Sequence, residues 1–397
     1  MSAELGAPKP LGAPKPVGAQ EPLGVYVHWP YCARICPYCD FNVVRDRGRG
    51  EEQAALARAI VADLASQAAL TGPRRLTSIF LGGGTPSLMD PAWAAEIVAA
   101  ARRLWPACDD LEVTLEANPT DVEAGRFAAF AAAGVNRLSL GVQAFNDEAL
   151  CLLGRNHDAA AARRGADTAG RLFPRLSLDL IYALPGQTPE AWRAELREAL
   201  TFGPEHLSPY QLTIEAGTAF DRAVRRGAMP LVDGDRGADL YETTQSVLEA
   251  HGFEAYEVSN HARGVGARSR HNLVYWRGQD YAAAGPGAHA RLTLNGARQA
   301  GRAYARIPDY IAAVERTGLG FEELTALDRR ETALERLLMG LRTVEGAAMA
   351  ELRAIPLNGD ALEDLLARRL VRVDSNRLVA TREGRPLLDS LCAALAA

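Results

Sequence analysis

The sequence predicts an α/β protein, a partial TIM-like (β/α)6 barrel followed by a small α-rich domain, and three observations support this fold class. Short runs of β-type residues alternate with alanine-rich helical stretches, which is typical of a parallel sheet with right-handed crossovers. No Rossmann-type glycine fingerprint follows the first predicted strand, which favours a barrel over a doubly wound sheet. Nearly every predicted strand ends in polar or glycine residues, and such ends meet at one face of a parallel barrel.

The barrel elements follow in order along the chain. The predicted strands cover residues 23–30, 76–84, 111–119, 137–145, 175–185 and 206–214. The predicted helices between them include residues 51–70, 91–104 and 122–133. After residue 214 the regular alternation ends. We expect one further strand over residues 251–262, followed by a loop-rich region that includes SRHNLVYWRG and DYAAAGPGAHA.

The C-terminal part changes to a pattern of helices and a hairpin. Predicted helices cover residues 331–342, 349–354 and 359–368, and LVRVDSNRLVATREG predicts a hairpin that turns at residues 374–376. This combination is typical of a winged-helix-like domain, for which we expect a role in packing or partner contact, with DNA binding as the alternative. We therefore divide the chain into a disordered tail over residues 1–21, a barrel over 22–300 and a C-terminal domain over 301–397.

The composition is that of an ordinary globular protein. Of the 397 residues, 48% are hydrophobic and 23% are charged, and the net charge of −5 gives no reason to expect a nucleic-acid partner. Near the N-terminus, two LGAPKP segments lack any apolar period, so we expect them to form a flexible tail. The sequence contains six cysteines, and it shows neither the pattern of a signal peptide nor an apolar run of about 18 residues. These features predict a cytoplasmic protein without a disulfide framework.

Three cysteines carry the densest chemical signal in the sequence. Cys32, Cys36 and Cys39 lie in CARICPYC, a C-x3-C-x2-C run directly after the first predicted strand. Three thiolates this close can ligate three corners of an iron–sulfur cubane and leave one iron free for a ligand. A zinc site is one alternative, but it needs a fourth ligand, for which His28 is the nearest candidate. Three unrelated cysteines are the other alternative.

Further polar residues lie at the ends of later strands. The glycines of GGGTP let backbone groups approach a ligand, although the same run also suits a tight turn. Glu116 can bind a ligand or cap the next helix, as Asn118 and Thr120 also can. Arg155 can pair with a carboxylate or lie on a solvated surface. Tyr26 and Tyr38 flank the cysteine loop, where they can contact a ligand or pack as ordinary aromatic side chains.

The segment YVHWPYCARICPYCDF resembles the opening motif of the radical S-adenosylmethionine (SAM) superfamily, in its coproporphyrinogen oxidase-like branch. The resemblance extends over about residues 23–290 and implies a radical SAM type of barrel. It implies that Cys32, Cys36 and Cys39 ligate a [4Fe–4S] cluster, that SAM binds the fourth iron, and that reductive cleavage of SAM yields a 5′-deoxyadenosyl radical. The SAM contacts that it implies are Tyr26, Tyr38, Gly83, Gly84, Thr85, Glu116, Gln143, Arg155 and Asp179.

Two features separate the members of this branch. The oxidases resemble C-x3-C-x2-C-x-C, whereas Phe41 occupies the place of the last cysteine in this chain. The segment RHNLVYW matches the H-N-x-x-Y-W motif associated with heme binding in the HemW-type heme chaperones. Imidazole is a common axial ligand of heme iron, and aromatic rings can pack on a porphyrin. The heme contacts that this motif implies are His271, Asn272, Tyr275 and Trp276.

The resemblance thus implies a heme chaperone that binds heme, a [4Fe–4S] cluster and SAM and passes heme to an apoprotein, which the sequence does not identify. Dimerisation and a membrane-associated acceptor are compatible with this function. The alternatives are an oxygen-independent coproporphyrinogen III oxidase-like enzyme and a cluster-bearing scaffold that no longer cleaves SAM. For His271 and Trp276 the alternative role is to tie a loop to the barrel, and His289 is a second candidate heme contact.

Overall fold

In the computed structural model, which describes residues 21–230 and 233–396, the predicted alternation of strands and helices builds one large sheet. The strands are β1 (Pro22–Trp29), β2 (Tyr31–Cys32), β3 (Val44–Arg45), β4 (Arg75–Gly83), β5 (Ala107–Ala117), β6 (Arg137–Gln143), β7 (Arg175–Tyr182), β8 (His206–Gln211), β9 (Glu254–Ala255), β10 (His261–Ala262), β11 (Asp280–Ala284), β12 (His289–Leu294), β13 (Ala297–Ala303), β14 (Phe321–Ala326), β15 (Ala347–Ala348), β16 (Val371–Asp374) and β17 (Arg377–Ala380).

The helices cover both the crossovers of the barrel and the C-terminal part. They are α1 (Gly50–Thr71), α2 (Pro91–Leu104), α3 (Asp121–Ala124), α4 (Phe127–Ala132), α5 (Asp147–Leu152), α6 (Ala159–Leu172), α7 (Pro189–Thr201), α8 (Ala219–Arg225), α9 (Gly234–Ala250), α10 (Arg270–Trp276), α11 (Ile307–Thr317), α12 (Arg329–Leu341), α13 (Gly359–Ala367) and α14 (Leu388–Ala396). Short 3-10 turns lie at Pro86–Leu88, Val265–Ala267 and Arg385–Leu387.

The large sheet has 12 strands in the order β14-β13-β12-β11-β1-β4-β5-β6-β7-β8-β10-β9. Its central strands, from β11 to β8, all run parallel to one another. The strands at both ends run antiparallel, and among the described residues β14 and β9 do not pair with each other. The confirmed fold class is therefore an open, partial barrel.

The core of the barrel lies between the sheet and the surrounding helices. Val25, Ile79 and Val113 are aligned across three neighbouring strands and are fully buried, together with Leu56 and Ile60 of α1. Burial of each such side chain stabilises the fold by about 1.5–3 kcal/mol. This packing leaves the opposite face of each strand free to carry polar side chains toward the inside of the barrel.

The region after residue 214 differs from the prediction. The strand expected over residues 251–262 is wrong: only β9 and β10 form there, because Glu257 accepts hydrogen bonds from the Ser259 N–H and the Asn260 side chain in a tight turn. The expected loop-rich region instead contains α10 and β11. β11 is rich in alanine, and Gln67 of α1 holds it through hydrogen bonds to both the N–H and the carbonyl oxygen of Ala283.

The large sheet continues beyond residue 300, where the sequence predicts the end of the barrel. β13 crosses residues 300 and 301, and the sheet extends to Ala326, because β14 pairs with β13. A second hydrophobic cluster begins at Ala333. The division of the chain into domains stays a prediction.

The C-terminal part combines helices α12, α13 and α14 with the sheet β15-β17-β16. The hairpin prediction is confirmed: β16 pairs with β17, and Ser375 and Asn376 take the left-handed backbone conformation at the turn, with φ of 48° and 63°. The predicted helix over residues 349–354 is wrong, because this segment forms successive turns. Helix α14 comes in addition to the predicted elements.

Apart from Glu21, the predicted tail over residues 1–21 lies outside the described residues. None of the helices in the described part of the chain combines the length and the apolar character needed to cross a membrane.

Candidate cofactor site

The carboxyl ends of the parallel strands surround a cavity of about 940 Å³. Among the residues proposed above for the cluster and SAM, those that line it are Cys32, Cys36, Tyr38, Cys39, Gly83, Gly84, Thr85, Glu116, Gln143, Arg155 and Asp179. Tyr26 differs from the rest of this set. It is absent from the lining of the cavity; its hydroxyl hydrogen-bonds to Nδ1 of His28 at 3.0 Å, and its ring stacks on Phe80.

The cysteine loop is held at the rim of this cavity by its own backbone. β2 and β3 pair at the base of the loop, where the Asp46 N–H donates to the Cys32 carbonyl oxygen at 2.8 Å. Two side chains from the barrel then contact the thiols. The Thr85 hydroxyl lies 3.5 Å from Sγ of Cys32, and Nη1 of Arg155 lies 3.3 Å from Sγ of Cys36. The loop thus presents its thiols to the cavity from fixed directions.

The glycines after β4 are required by close backbone packing. A Cβ on Gly84 would lie 2.7 Å from the Pro30 carbonyl group, and one on Gly83, whose φ is 108°, would lie 2.6 Å from the His28 ring. The N–H groups are already bonded within the chain: that of Gly83 donates to Glu116, that of Gly84 to Trp29 and that of Thr85 to Tyr31. The motif therefore joins the cysteine loop to the barrel as well as lining the cavity.

Two buried carboxyl groups face the cavity from β5 and β7. Burial, with the charge of Asp179 as a second cause, raises the pKa of Glu116 to about 8. Burial likewise raises the pKa of Asp179 to about 6, although Ser139 donates a hydrogen bond of 2.7 Å to its carboxyl group. At pH 7 a carboxyl group with a pKa of about 8 is mostly protonated, and a positively charged or hydrogen-bond-donating ligand favours its ionisation.

Arg155 lies just after α5 and points inward, rather than into solvent. Its Nη1 donates to the Tyr38 hydroxyl at 3.2 Å, and its Nη2 donates to the Gly141 carbonyl oxygen at 3.1 Å and to the Asn118 side chain. Its Nε is buried and has no hydrogen-bond partner within the described residues. The other hydrogen bonds thus hold the guanidinium at the wall of the cavity.

Gln143 shows backbone strain at the same face. Its φ is 64°, in the left-handed region that a residue other than glycine rarely adopts, and the register of β6 against β7 shifts between Gly141 and Gln143. Strain of this kind costs about 1–3 kcal/mol and is concentrated at functional sites. At this position it directs the end of β6 into the cavity.

The H-N-x-x-Y-W segment lies away from the cavity lining. It forms α10, which packs against β1, β4 and β11, and His271 is fully buried. Both imidazole nitrogens are hydrogen-bonded within the chain: Nδ1 to the Ser78 hydroxyl at 2.9 Å and Nε2 to the Tyr275 hydroxyl at 2.6 Å. Phe80 stacks on the ring at 4.9 Å, and burial lowers the pKa of His271 to about 3.

The other residues of this segment have different surroundings. Asn272 is half-buried, and its backbone N–H donates to the Ser269 hydroxyl at the start of α10. The Arg342 guanidinium covers the Trp276 ring at 4.7 Å, and the buried Nε1 of that ring has no partner within the described residues. His289 is exposed on β12. In this conformation the segment, as α10, packs on the barrel and contacts the C-terminal part.

Comparison with known proteins identifies the family. The sequence profile of the Radical SAM superfamily matches residues 26–199. The heme chaperone HemW of Escherichia coli (strain K12) is 41% identical over 273 residues, which cover 68% of this chain and 70% of that protein. The heme chaperone HemW of Bacillus subtilis (strain 168) is 32% identical over 370 residues, which cover 91% of this chain and 96% of that protein. The chain belongs to the radical SAM superfamily.

Other members extend the comparison. The mouse protein named radical S-adenosyl methionine domain-containing protein 1, mitochondrial, is 41% identical over 382 residues, which cover 92% of this chain and 86% of the mouse protein. The structure of Escherichia coli coproporphyrinogen III oxidase (HemN), a radical SAM enzyme, superimposes with a TM-score of 0.78 at 23% identity and covers 96% of this chain and 91% of that chain. This likeness shows the radical SAM fold.

Membership of the superfamily implies a [4Fe–4S] cluster and SAM, and the residues fit both groups. Burial raises the pKa of Cys32 to about 11, so its thiolate requires a positive partner such as iron. Across the described residues, no three His, Cys, Asp or Glu side chains are arranged to hold a single metal ion. A cubane binds each thiolate at a different iron, so the three cysteines at one rim suit a cluster better than zinc.

Asn118 lines the radical SAM cavity but is missing from the set of ligand-binding residues that the sequence predicts. The pattern around Asn118 indicates at most a helix cap, yet this side chain lines the cavity, accepts from Arg155 and donates to the Thr85 hydroxyl at 3.3 Å. The cap is supplied by Thr120 instead, which accepts from the Glu123 N–H. The sequence does contain a signal for this role of Asn118: it lies two residues after Glu116, and residues at that spacing point to the same side at a strand end.

Proposed function

We propose that this chain is a HemW-like heme chaperone that binds a [4Fe–4S] cluster, SAM and heme and transfers the heme to an acceptor protein. The observation that carries the proposal is the match along nearly the whole length of the Bacillus subtilis heme chaperone HemW. Phe41 supports it, because this side chain lines the cavity, 61% exposed, where the oxidase pattern has a further cysteine.

In this proposal Cys32, Cys36 and Cys39 ligate the cluster, which supplies an electron and an open iron to SAM. The chain's own residues hold SAM in place. Arg155 donates to its carboxylate, and Glu116 and Asp179 accept from its ammonium and ribose hydroxyl groups. The other contacts are assigned to Tyr38, Gly83, Gly84, Thr85 and Gln143. Tyr26 supports the site through its hydrogen bond to His28.

Heme ligation by His271 requires a rearrangement of α10. Both ring nitrogens are occupied by Ser78 and Tyr275, and the side chain has no solvent exposure, so one hydrogen bond must break before iron can bind. We propose that α10 moves outward when heme binds, which brings Asn272, Tyr275 and Trp276 to the porphyrin with His271. The hydrogen bond that is lost costs about 0.5–1.5 kcal/mol, which a metal–imidazole bond offsets.

The acceptor protein, a membrane association of that acceptor, dimerisation and a cytoplasmic location stay predictions from the sequence. The mouse relative carries the word mitochondrial in its name. A coproporphyrinogen III oxidase-like enzyme is the second candidate function, favoured by the likeness in fold to the Escherichia coli oxidase and by a cavity that retains all the polar strand ends.

An anaerobic turnover assay separates the two functions. The reconstituted full-length chain is incubated with coproporphyrinogen III, SAM and a reductant, and the tetrapyrrole products are separated and quantified. We expect no protoporphyrinogen, with a coproporphyrinogen oxidase run in parallel as the positive control. Accumulation of protoporphyrinogen over several turnovers would contradict the proposed function and favour the enzyme.

A further inference from the structure

The cavity extends beyond the residues assigned to the cluster and SAM. Its far end lies between the barrel and the C-terminal part, and we call this the seam end. The seam end is lined by Tyr241, Ser259, Arg342, Arg385 and Leu387. These residues are absent from the sets proposed above for SAM and heme, so the seam end has no assigned ligand.

Arg385 at the seam end is a cation that lacks a bonded counter-charge among the described residues. Its Nε is buried and has no hydrogen-bond partner in that part of the chain, and its Nη1 makes one long hydrogen bond, of 3.4 Å, to the Ala255 carbonyl oxygen. Burial lowers the pKa of Arg385, although the nearby Tyr241 and Glu257 partly oppose this. A desolvated guanidinium is costly unless an anion pairs with it.

The neighbouring Arg342 has the ion-pair partner that Arg385 lacks. Nε of Arg342 lies 3.0 Å from the Glu257 carboxylate, and its guanidinium also covers the Trp276 ring. The Glu257 carboxylate is committed further, because Ser259 and Asn260 donate to it. Glu257 is therefore unable to give Arg385 the close contact that it gives Arg342.

The two ends of the cavity carry different charged groups. Glu116, Asp179 and Arg155 line the cofactor end, whereas Arg342, Arg385 and Asp389 line the cavity at the seam end. Exposed hydrophobic side chains also line the cavity: Tyr210 is 42% exposed, and Leu387, at the seam end, is 44% exposed. Apolar side chains beside an arginine without a bonded counter-charge suit an apolar ligand with a carboxylate at its edge.

We propose that Arg385 binds a propionate carboxylate of heme at the seam end of the cavity. The inference rests on the proposed function, because it takes heme as the ligand, and it adds a carboxylate-binding residue outside the H-N-x-x-Y-W segment. The terminal N–H groups of a planar guanidinium bind a carboxylate through charge-assisted hydrogen bonds, and among the described residues those of Arg385 make one long hydrogen bond, to the Ala255 carbonyl oxygen.

The test compares heme with heme dimethyl ester, in which both carboxylates are blocked. Anaerobically reconstituted full-length protein is titrated with each compound and followed by visible absorption, for the parent chain, Arg385→Ala, Arg385→Lys and the control Arg382→Ala. Arg382 is a suitable control because it is exposed and already pairs with Glu249. Iron content per chain reports whether each variant retains its fold and cluster.

We expect the parent to bind heme about tenfold more tightly than the ester, the change that corresponds to one charge-assisted hydrogen-bonded contact. Arg385→Ala should lose that preference, Arg385→Lys should retain part of it, and Arg382→Ala should behave as the parent. Equal binding of heme and ester by the parent, or an unchanged preference in Arg385→Ala, would overturn the role of Arg385 and leave the proposed function standing. A parent chain that binds neither compound would overturn the proposed function with it.

Discussion

At the scale of single residues, burial sets the chemistry of the cavity. Glu116 is surrounded by β4, β5 and Asp179, and the Gly83 N–H donates to its carboxyl group at 3.0 Å. A carboxyl group in that environment is held neutral near pH 7, since its pKa is about 8. SAM brings an ammonium and a sulfonium, so its arrival favours the ionised form.

This raised pKa predicts how stability depends on pH. The pKa of Glu116 in the folded protein lies above the ordinary glutamate value. Its contribution to the free energy of unfolding is therefore fully present at low pH, where Glu116 is protonated in both states, and it is lost as pH rises toward 8. In cofactor-free protein, Glu116→Gln should therefore gain stability relative to the parent between about pH 5 and pH 8, by up to a few kcal/mol. Urea unfolding at a series of pH values measures the difference, and parallel curves for the two proteins would contradict it.

The hydrogen bonds of His271 supply a second prediction at this scale. His271→Ala removes a fully buried ring and leaves Ser78 and Tyr275 without their partner, so we expect a loss of about 2–4 kcal/mol in the free energy of unfolding. The matched control Ser78→Ala breaks one of the same hydrogen bonds but retains the imidazole.

Heme titration of both variants separates a ligand from a merely structural side chain. If His271 ligates iron after α10 moves, His271→Ala should lose heme binding and the absorption of a histidine-ligated heme, whereas Ser78→Ala should retain both. Heme binding by His271→Ala with the parent's affinity and spectrum would assign His271 to packing alone.

Short motifs allow the sequence to predict part of the cavity lining, because each one combines a strand end with a polar residue. Arg155 and Asp179 are examples that line it. Asn118 escapes prediction because an asparagine before a helix suggests a cap. The sequence does not predict Arg385 either. This arginine stands out because its guanidinium has no ion-pair partner among the described residues, and that fact depends on how the fold places the C-terminal part beside Ala255.

At the scale of elements, the loop that carries the cysteines depends on the end of β4. Gly84 lies against the backbone of Pro30 and Tyr31, and its N–H donates to the Trp29 carbonyl oxygen. This contact joins two neighbouring parallel strands at the point where the cysteine loop leaves the barrel. Its role is therefore to place the loop over the cavity.

We predict that Gly84→Ala displaces the cysteine loop. The added methyl group would lie 2.7 Å from the Pro30 carbonyl group, which has no flexible side chain to move aside, so we expect a cost of about 1–3 kcal/mol and a lower cluster content. The measurement is iron and sulfide per chain after anaerobic reconstitution. Gly359→Ala is the control, because a Cβ there meets open space, and equal cluster contents in the two variants would contradict the prediction.

The sequence predicts the regular part of the barrel well and the region after it less well. β4, β6 and β7 combine buried branched residues with strong strand propensity, which makes them recognisable. β11 contains DYAAA, whose alanines favour helix by propensity, and it forms a strand because β1 and α1 enclose it. Tertiary packing thus decides this element, and local composition is uninformative there.

At the scale of the whole molecule, α10 connects the barrel to the C-terminal part. It packs on the barrel through His271, Arg277 forms an ion pair of 2.6 Å with Glu345, and Arg336 of α12 donates to the Trp276 carbonyl oxygen. An outward movement of α10 would therefore change the contacts between the barrel and the C-terminal part, where Arg342 lines the cavity. If α10 moves when heme binds, this helix links heme binding to the state of the cofactor cavity.

The most direct test of the proposed heme chaperone is a heme titration of the anaerobically reconstituted full-length chain, with and without SAM. We predict saturable binding at one heme per chain, with a defined absorption maximum, and an affinity that changes when SAM occupies the cavity. The stoichiometry is read from the break in the titration curve. A linear, unsaturable change in absorbance, as expected for heme that adheres nonspecifically, would contradict the central claim.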